Sequence, residues 1–186
     1  NQLFGELPSQ LGELTRLEVL TLGPNLFTGV IPPELGNLAK LRSLDLSGNG
    51  LTGNVPTQIA NLSRLQVLAI GNNLLSGSLS PTLFSNLQSL TSLDFSNNSL
   101  SGHIPPEIGR LTNLTDLYLG INHFSGELPP EIGELSNLQI FFSPSCSFSG
   151  PLPETFSKLR SLSKLDLSYN PLKSSIPKSI GKLLNL

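Results

Sequence analysis

A short pattern, L-x-x-L-x-L-x-x-N, recurs along the whole chain at a nearly constant interval, and it limits the possible folds more than any other feature. The stretch from Leu41 to Asn49 is a clean copy of it. Apolar and polar residues alternate from Leu44 to Leu46, which is typical of a strand with one buried face. A fixed period of this kind indicates a solenoid, in which each unit contacts only its neighbours. The other strand face is therefore free to meet a partner.

The asparagine of the pattern marks a reference position in every repeat, which we call the Asn position. Successive Asn positions are 24 residues apart, except for one interval of 25 residues. In chain order they hold Asn1, Asn25, Asn49, Asn73, Asn98, Asn122, Cys146 and Asn170. We predict one leucine-rich domain over residues 1–186, with about eight repeats. Because solenoids need polar caps, we expect it to be an excerpt of a longer protein lacking both caps.

Each part of the repeat has a physical role. Stacked leucines fill a continuous core, and the asparagine amide can satisfy backbone groups that would cost about 1–3 kcal/mol each if buried unpaired. A glycine four residues after the Asn position allows a positive φ. The following segment, such as Pro105–Leu111, is too short for a regular α-helix and favours a 3₁₀ turn. The sequence predicts an α/β repeat fold: a right-handed solenoid with a concave parallel β-sheet and convex 3₁₀ turns.

The longer pattern L-x-x-L-x-L-x-x-N-x-L-x-G-x-I-P, seen from Leu90 to Pro105, resembles the plant-specific leucine-rich repeat. The stretch from Leu162 to Pro177 follows it with Ser174 in place of the glycine. The whole chain is similar to the ectodomains of plant receptor-like Ser/Thr kinases. The resemblance implies a non-catalytic segment on the extracellular face of the plasma membrane, in the apoplast, with the kinase elsewhere in the protein.

The same resemblance implies the partners. They are a secreted peptide or small cysteine-rich protein as ligand and a coreceptor kinase of the somatic-embryogenesis type. Membrane attachment would come only through a transmembrane segment outside these residues, because no run of about 18 apolar residues occurs here. A net charge of −2 and a pI near 5.6 argue against nucleic acid as a partner.

Signals for catalysis or metal binding are weak. His103 and His123 lack a matched set of cysteines or carboxylates at metal-ligand spacing. Glu107, Glu131 and Glu134 fall on the predicted convex turns, where they are expected to solvate the surface. No G-x-S-x-G, phosphate-binding loop or H-E-x-x-H motif occurs. We therefore predict no catalytic residue, no metal site and no cofactor.

Function must reside at the outward strand positions, which lie one, two, four and six residues before each Asn position. In most repeats these residues are small or singly charged, but the two repeats ending at Asn122 and Cys146 carry large apolar side chains. Tyr118 and Phe142 should be neighbours, since adjacent strands lie about 4.8 Å apart. We predict a ligand-binding site, the concave patch, whose apolar members are Tyr118, Ile121, Ile140, Phe142 and Tyr169 and whose charged rim is Asp94, Asp116, Lys164 and Asp166.

Aromatic anchors inside a polar rim are common in protein interfaces. The alternative interpretation is that these are scattered surface hydrophobes, which every protein has. The repeat ending at Cys146 departs most from the pattern. Ser143 replaces a core leucine, so that either Phe141 compensates or the strand is irregular. Cys146 is either a small buried residue or a reactive thiol.

Three N-x-S/T sequons, at Asn61, Asn97 and Asn113, predict glycosylation, although chance could produce them because asparagine and serine are abundant. A competing function is that of a soluble cell-wall inhibitor similar to polygalacturonase-inhibiting proteins, which share this repeat. A third possibility, a structural or ice-binding solenoid, fits less well because the predicted concave surface is uneven.

Overall fold

The computed structural model describes residues 1–186 and shows a solenoid of short strands and 3₁₀ turns. The strands, in chain order, are β1 (Phe4–Glu6), β2 (Val19–Thr21), β3 (Leu26–Thr28), β4 (Ser43–Asp45), β5 (Thr52–Gly53), β6 (Val67–Ala69), β7 (Leu74–Ser78), β8 (Ser92–Asp94), β9 (Ser99–Gly102), β10 (Asp116–Tyr118), β11 (His123–Glu127), β12 (Ile140–Phe142), β13 (Ser147–Ser149) and β14 (Lys164–Asp166). None of the helical segments has the length and apolar character needed to cross a bilayer.

The even-numbered strands form the concave sheet, which is parallel and has seven strands in the order β14-β12-β10-β8-β6-β4-β2. Equivalent positions of neighbouring repeats pair, as Leu44 does with Leu68 and Asp45 with Ala69. The middle residue of each strand points into the core, and the residues on either side of it point outward. The predicted leucine-rich solenoid with a parallel concave sheet is confirmed.

The odd-numbered strands form a second, lateral surface that the sequence analysis did not predict. Strands β5, β7, β9, β11 and β13 make a five-stranded parallel array, and β1 pairs with β3. Each of these strands buries a single apolar residue or none, for example Leu75 in β7 and Phe124 in β11. One buried residue cannot establish the alternation that identifies a strand in a sequence. The repeat pattern therefore did not predict these strands.

Short 3₁₀ turns occupy the convex side, as predicted. They span Ser9–Glu13, Pro33–Asn37, Thr57–Asn61, Pro81–Phe84, Pro106–Arg110, Pro130–Glu134, Glu154–Lys158 and Lys178–Lys182. Successive turns approach closely where glycine is present. A Cβ added at Gly36 would lie 2.4 Å from the backbone oxygen of Gln58, so a larger residue would force the repeats apart.

A single core of 41 buried residues runs the length of the solenoid, and asparagine side chains close one edge of it. The amide of Asn122 donates to the carbonyl oxygens of Leu119 and Phe95, both at 2.9 Å, and its oxygen accepts from the Leu100 N–H at 3.0 Å. Two neighbouring repeats are thus joined by one buried side chain. The same arrangement recurs at Asn73 and Asn98, which explains why the repeat needs asparagine at this position.

Strand β12 is regular despite the unusual repeat that contains it. Ile140, Phe141 and Phe142 pair in register with both β10 and β14, so the alternative of an irregular strand is wrong. Ser143 is fully buried in a leucine position. Phe141 is also fully buried and packs edge-on against Phe156, with ring centroids 6.1 Å apart. The large Phe141 ring thus occupies core space next to the small Ser143 side chain.

Candidate functional site

Residues at equivalent positions form straight rows across the concave sheet, because the strands pair in register. One row reads Asp94, Tyr118, Phe142 and Asp166, from β8 to β14. We call it the aromatic row. Two adjacent aromatic side chains are therefore flanked on each side by a carboxylate. The row beside it contains Asp116, Ile140 and Lys164 on β10, β12 and β14.

Tyr118 and Phe142 are neighbours on the open face, as expected. Their ring centroids lie 6.4 Å apart and the ring planes are inclined at 45°. Phe142 keeps 40% of its surface exposed, and Tyr118 is half-buried. Tilted aromatic pairs at this separation attract each other, and each ring buries a large apolar area when covered. The pair is a preformed apolar anchor that a partner can cover.

A cavity of about 210 Å³ opens beside this pair. Its lining consists of Ser96, Tyr118, Gly120, Ile121, Phe142 and Pro144. Gly120 has to be glycine, because an added Cβ would lie 2.5 Å from Cδ of Pro144. The missing side chain leaves space between two large ones. The cavity can therefore accept one apolar side chain of a ligand.

Ile121 borders the cavity in a strained backbone conformation, with φ of +57°. Asn72 and Asn97 hold the same position in earlier repeats with φ of +55° and +52°. The left-handed region suits asparagine, whereas a β-branched residue there is an outlier that costs of order 1–3 kcal/mol. Ile121 nevertheless leaves 54% of its surface exposed. The positive φ itself belongs to the repeat, since Ser145 and Tyr169 share it; what is unusual at Ile121 is the exposed β-branched side chain in that conformation.

The two carboxylates near Tyr118 are held in place by their own repeats. Asp94 accepts hydrogen bonds on Oδ1 from the Ser96 backbone N–H at 2.8 Å and the Ser96 hydroxyl at 2.6 Å. Asp116 accepts one on Oδ2 from the Thr115 hydroxyl at 2.7 Å. The second oxygen of each carboxylate makes no hydrogen bond within the protein.

These charges act on the Tyr118 hydroxyl. Burial raises the pKa of Tyr118 above its ordinary value, and the negative charges of Asp116 and Asp94 raise it further. Both effects disfavour the phenolate. Tyr118 is therefore a neutral hydrogen-bonding group beside two acceptors at physiological pH.

The structure brings most of the predicted concave patch together. Tyr118, Ile121 and Phe142 line the cavity, while Asp94, Asp116 and Ile140 adjoin it. Asp166 and Lys164 lie one strand further, on β14. Tyr169 is 86% exposed, follows β14 and does not line the cavity.

Three lining residues, Ser96, Gly120 and Pro144, were not predicted as site residues. Their shared signal was present in the sequence, since all three stand two residues before an Asn position. In that row Gly120 lies between Ser96 and Pro144, and the absence of a side chain at Gly120 creates the cavity.

Cys146 occupies the Asn position as a small buried residue, with 7% of its surface exposed. Its thiol lies 3.5 Å from the carbonyl oxygen of Leu119 and 3.8 Å from the Ser143 hydroxyl. Burial raises the thiol pKa, although hydrogen bonds from Ser143 and from backbone groups oppose the shift. A protonated, buried thiol is a poor nucleophile. The reading of Cys146 as a small core residue is confirmed.

The three sequons occupy different places. Asn61 ends a convex 3₁₀ turn, Asn113 lies in the turn that precedes β10, and Asn97 is at the concave rim. All three are exposed. The Asn113 amide donates to the Gln88 carbonyl at 2.8 Å, and the Asn97 amide to the Asn72 side chain at 2.9 Å. Glycosylation of each remains a prediction.

The histidines lie on the lateral side, away from the concave patch. His103 follows β9 and His123 begins β11, and both are exposed. No group of three or more histidine, cysteine, aspartate or glutamate side chains is arranged to hold a metal ion.

Comparison with protein families gives a consistent result. The family described as a leucine-rich repeat region matches residues 7–122. The family described as leucine rich repeat matches residues 113–135 and 161–183. A comparison with curated proteins gave no significant match.

Several solved structures of plant receptor ectodomains are similar to this chain. The ectodomain of the Arabidopsis thaliana membrane receptor kinase GASSHO1/SCHENGEN3, in complex with CASPARIAN STRIP INTEGRITY FACTOR 2, is 39% identical over 98% of this chain with a TM-score of 0.95. The plant peptide hormone receptor RGFR1 in complex with RGF2 is 39% identical over 100% of this chain with a TM-score of 0.97.

A third similar structure is that of the Arabidopsis receptor kinase HAESA with the peptide hormone IDA and the co-receptor SERK1. It is 36% identical over 100% of this chain with a TM-score of 0.95. The chain spans 22%, 30% and 31% of the length of these three proteins.

Proposed function

Because the chain belongs to the leucine-rich repeat family, we propose that it is a ligand-binding segment of a plant receptor kinase ectodomain. Its ligand is a secreted peptide or small protein that binds the concave face and its lateral margin. One similar structure contains the peptide hormone IDA and the co-receptor SERK1, and another is that of a peptide hormone receptor in complex with RGF2. The proposal places the segment in the apoplast, with a Ser/Thr kinase domain and a membrane anchor elsewhere in the protein and a coreceptor kinase of the somatic-embryogenesis type as partner.

The observation that carries the proposal is the contrast within the concave sheet. In β4, β6 and β8 the outward residues are serine, aspartate, valine and alanine, whereas β10 and β12 present Tyr118 and Phe142 beside a cavity. Hot spots of interfaces are aromatic residues near pockets with a polar rim. A purely structural sheet has no need of exposed aromatic residues on its outward face, since they add nothing to the core beneath it.

A more specific identity rests on sequence resemblance alone. The stretches Ser143–Pro153 and Lys164–Lys173 look like the ectodomain of the Excess Microsporocytes receptor kinase of anthers. On this resemblance the ligand is a small cysteine-rich protein, and the signalling belongs to anther development.

Selection from a random displayed peptide library tests the proposal without knowledge of the natural ligand. We expect enriched peptides whose binding is lost with the Tyr118→Ala, Phe142→Ala double variant. Phe4→Ala is the matched control, because Phe4 is 82% exposed on the lateral strand β1. Circular dichroism must show that all variants are folded.

The proposal fails if no peptide depends on Tyr118 and Phe142. The competing wall-inhibitor function makes a different prediction, namely that the secreted chain lowers the activity of a fungal polygalacturonase. That assay separates the two functions directly.

A further inference from the structure

The outward face of the concave sheet carries an excess of negative charge. Its strands present the carboxylates of Asp45, Asp94, Asp116 and Asp166, and one cation, Lys164. Arg42, which lies just before β4, already pairs with Glu18 at 3.3 Å. A ligand that covers this face meets acceptors rather than donors, so charge complementarity favours a basic ligand.

The excess is greatest at Tyr118. Asp94 is its in-register neighbour on β8, and Asp116 stands on the same face of β10, two residues earlier. On the other side of the patch, Asp166 shares β14 with Lys164, and their charges offset each other. A cation is therefore attracted to the Tyr118 end of the aromatic row rather than to the Asp166 end.

We propose that the concave patch selects an extended ligand segment in which an arginine and an apolar residue are two positions apart. The guanidinium lies over the Tyr118 ring and donates to the free oxygens of Asp94 and Asp116. The apolar residue fills the cavity between Phe142 and Ile121. This inference rests on the proposed function and names the chemistry of the ligand.

Arginine fits this place better than lysine. Its planar guanidinium stacks on an aromatic face and still has several N–H groups directed outward in its own plane. Those groups can reach two carboxylates that stand on different strands at the two sides of one ring. A lysine ammonium is a compact charge that is more strongly hydrated. Removing its water on contact with the ring therefore costs more free energy.

The cavity determines the second half of the motif. Its volume of about 210 Å³ and its mostly apolar lining suit one aliphatic side chain or proline. The cavity begins at Tyr118 itself, so the cation and the apolar group must come from residues close together in the ligand chain. In an extended segment these are residues i and i+2, because their side chains point to the same face. Such residues are about 7 Å apart, which is close to the 6.4 Å between the ring centroids of Tyr118 and Phe142.

The test combines the displayed peptide selection with two matched charge variants, Asp94→Asn and Asp45→Asn. Asp45 stands in the same row as Asp94 and makes the same contacts, accepting from the Ser47 N–H at 2.9 Å and the Ser47 hydroxyl at 2.7 Å. The two substitutions therefore remove the same charge and disturb the same local turn. Only Asp94 is adjacent to Tyr118.

We expect the peptides that depend on Tyr118 and Phe142 to be enriched in an arginine with an apolar residue two positions before or after it. Asp94→Asn should weaken their binding by roughly tenfold, as expected for loss of a hydrogen bond between charged groups, and Asp45→Asn should leave it unchanged. Replacing the peptide arginine by lysine should also weaken binding. Replacing it by norleucine, which has no charge, should weaken binding further.

Two results would overturn the inference. If patch-dependent peptides carry no basic residue, or if Asp45→Asn weakens binding as much as Asp94→Asn, the arginine site is wrong while the proposed function stands. If no peptide depends on Tyr118 and Phe142, the proposed function and the inference fail together.

Discussion

The hydroxyl of Ser143 lies 3.8 Å from the thiol of Cys146 inside the solenoid, where other repeats hold a large apolar residue and asparagine. Ser143 and Cys146 are therefore neighbours in the core, and together they replace the usual apolar residue and asparagine of one repeat. Cys146 makes a weak contact to the Leu119 carbonyl but has no amide oxygen for the Phe124 N–H. Asn122 and Asn170 provide such an oxygen to Leu100 and Phe148. The ladder of asparagine side chains is interrupted at this repeat.

We predict that Cys146→Asn stabilises the fold. The new amide can supply the missing acceptor, and a net hydrogen bond contributes about 0.5–1.5 kcal/mol. Urea unfolding followed by circular dichroism measures the change in the free energy of unfolding. The reverse exchange, Asn122→Cys, is the control and should destabilise. A lower unfolding midpoint for Cys146→Asn would show that the cavity at Ser143 has adapted to sulfur.

The Cys146 thiol should be inert in the folded chain. Because burial raises its pKa, the native state holds its proton more tightly than the unfolded state. Its contribution to stability is therefore fully present below the unfolded pKa and is lost as pH rises towards the folded pKa. Alkylation by iodoacetamide at mildly alkaline pH checks this expectation. We expect slow modification in buffer and rapid modification in denaturant, and Cys146→Ser should remove the alkaline loss of stability that the thiol causes.

Ile121→Asn should stabilise the fold and weaken ligand binding. Asparagine tolerates the positive φ of this position, as Asn72 and Asn97 show, and relief of the strain is worth about 1 kcal/mol. The substitution also removes an apolar wall of the cavity. Thermal unfolding and peptide binding measure the two effects. Ser145→Asn is the control, because Ser145 has φ of +53° at the equivalent position of the next repeat and does not line the cavity. Equal effects of both variants on binding would contradict the role of Ile121.

The Tyr118 phenol should titrate at lower pH when its acidic neighbours are neutralised. Asp116 and Asp94 both raise its pKa, in addition to burial, so Asp116→Asn and Asp94→Asn should each lower it. Asp166→Asn is a control on the far side of Phe142. Ultraviolet titration in a Tyr169→Phe background isolates the signal, since the chain has two tyrosines. An unchanged pKa in both variants would mean that the carboxylates do not act on the ring.

The spacing of leucine predicted the parts of the fold that repeat. Leu44 and its equivalents determine the concave strands, and the P-x-E-I-G stretches determine the 3₁₀ turns, because each depends on residues close in the chain. The lateral strands were missed because each is ordered by hydrogen bonds to the next repeat rather than by its own pattern. In the lateral sheet, Thr52 pairs with Leu74, so equivalent positions are not opposite each other.

The site was predictable only where side chains point in a known direction. Counting from the Asn position placed Tyr118 and Phe142 side by side, and the structure agrees. The cavity depends instead on what is absent at Gly120 and on the ring of Pro144, which approaches it across strands. Such a space arises from the packing of side chains on neighbouring strands. It therefore cannot be predicted from the preferences of individual residues. The role of Tyr169 as part of the concave patch remains a prediction.

The most direct test of the concave patch is a methyl spectrum of isoleucine-labelled protein with a peptide from the library selection. We predict that the methyl resonances of Ile121 and Ile140 shift on binding. Ile176 is the internal control, since it is 69% exposed and lies outside the sheet. If the peptide binds while Ile121 and Ile140 do not shift, the ligand lies elsewhere on the solenoid and the account of this surface is wrong.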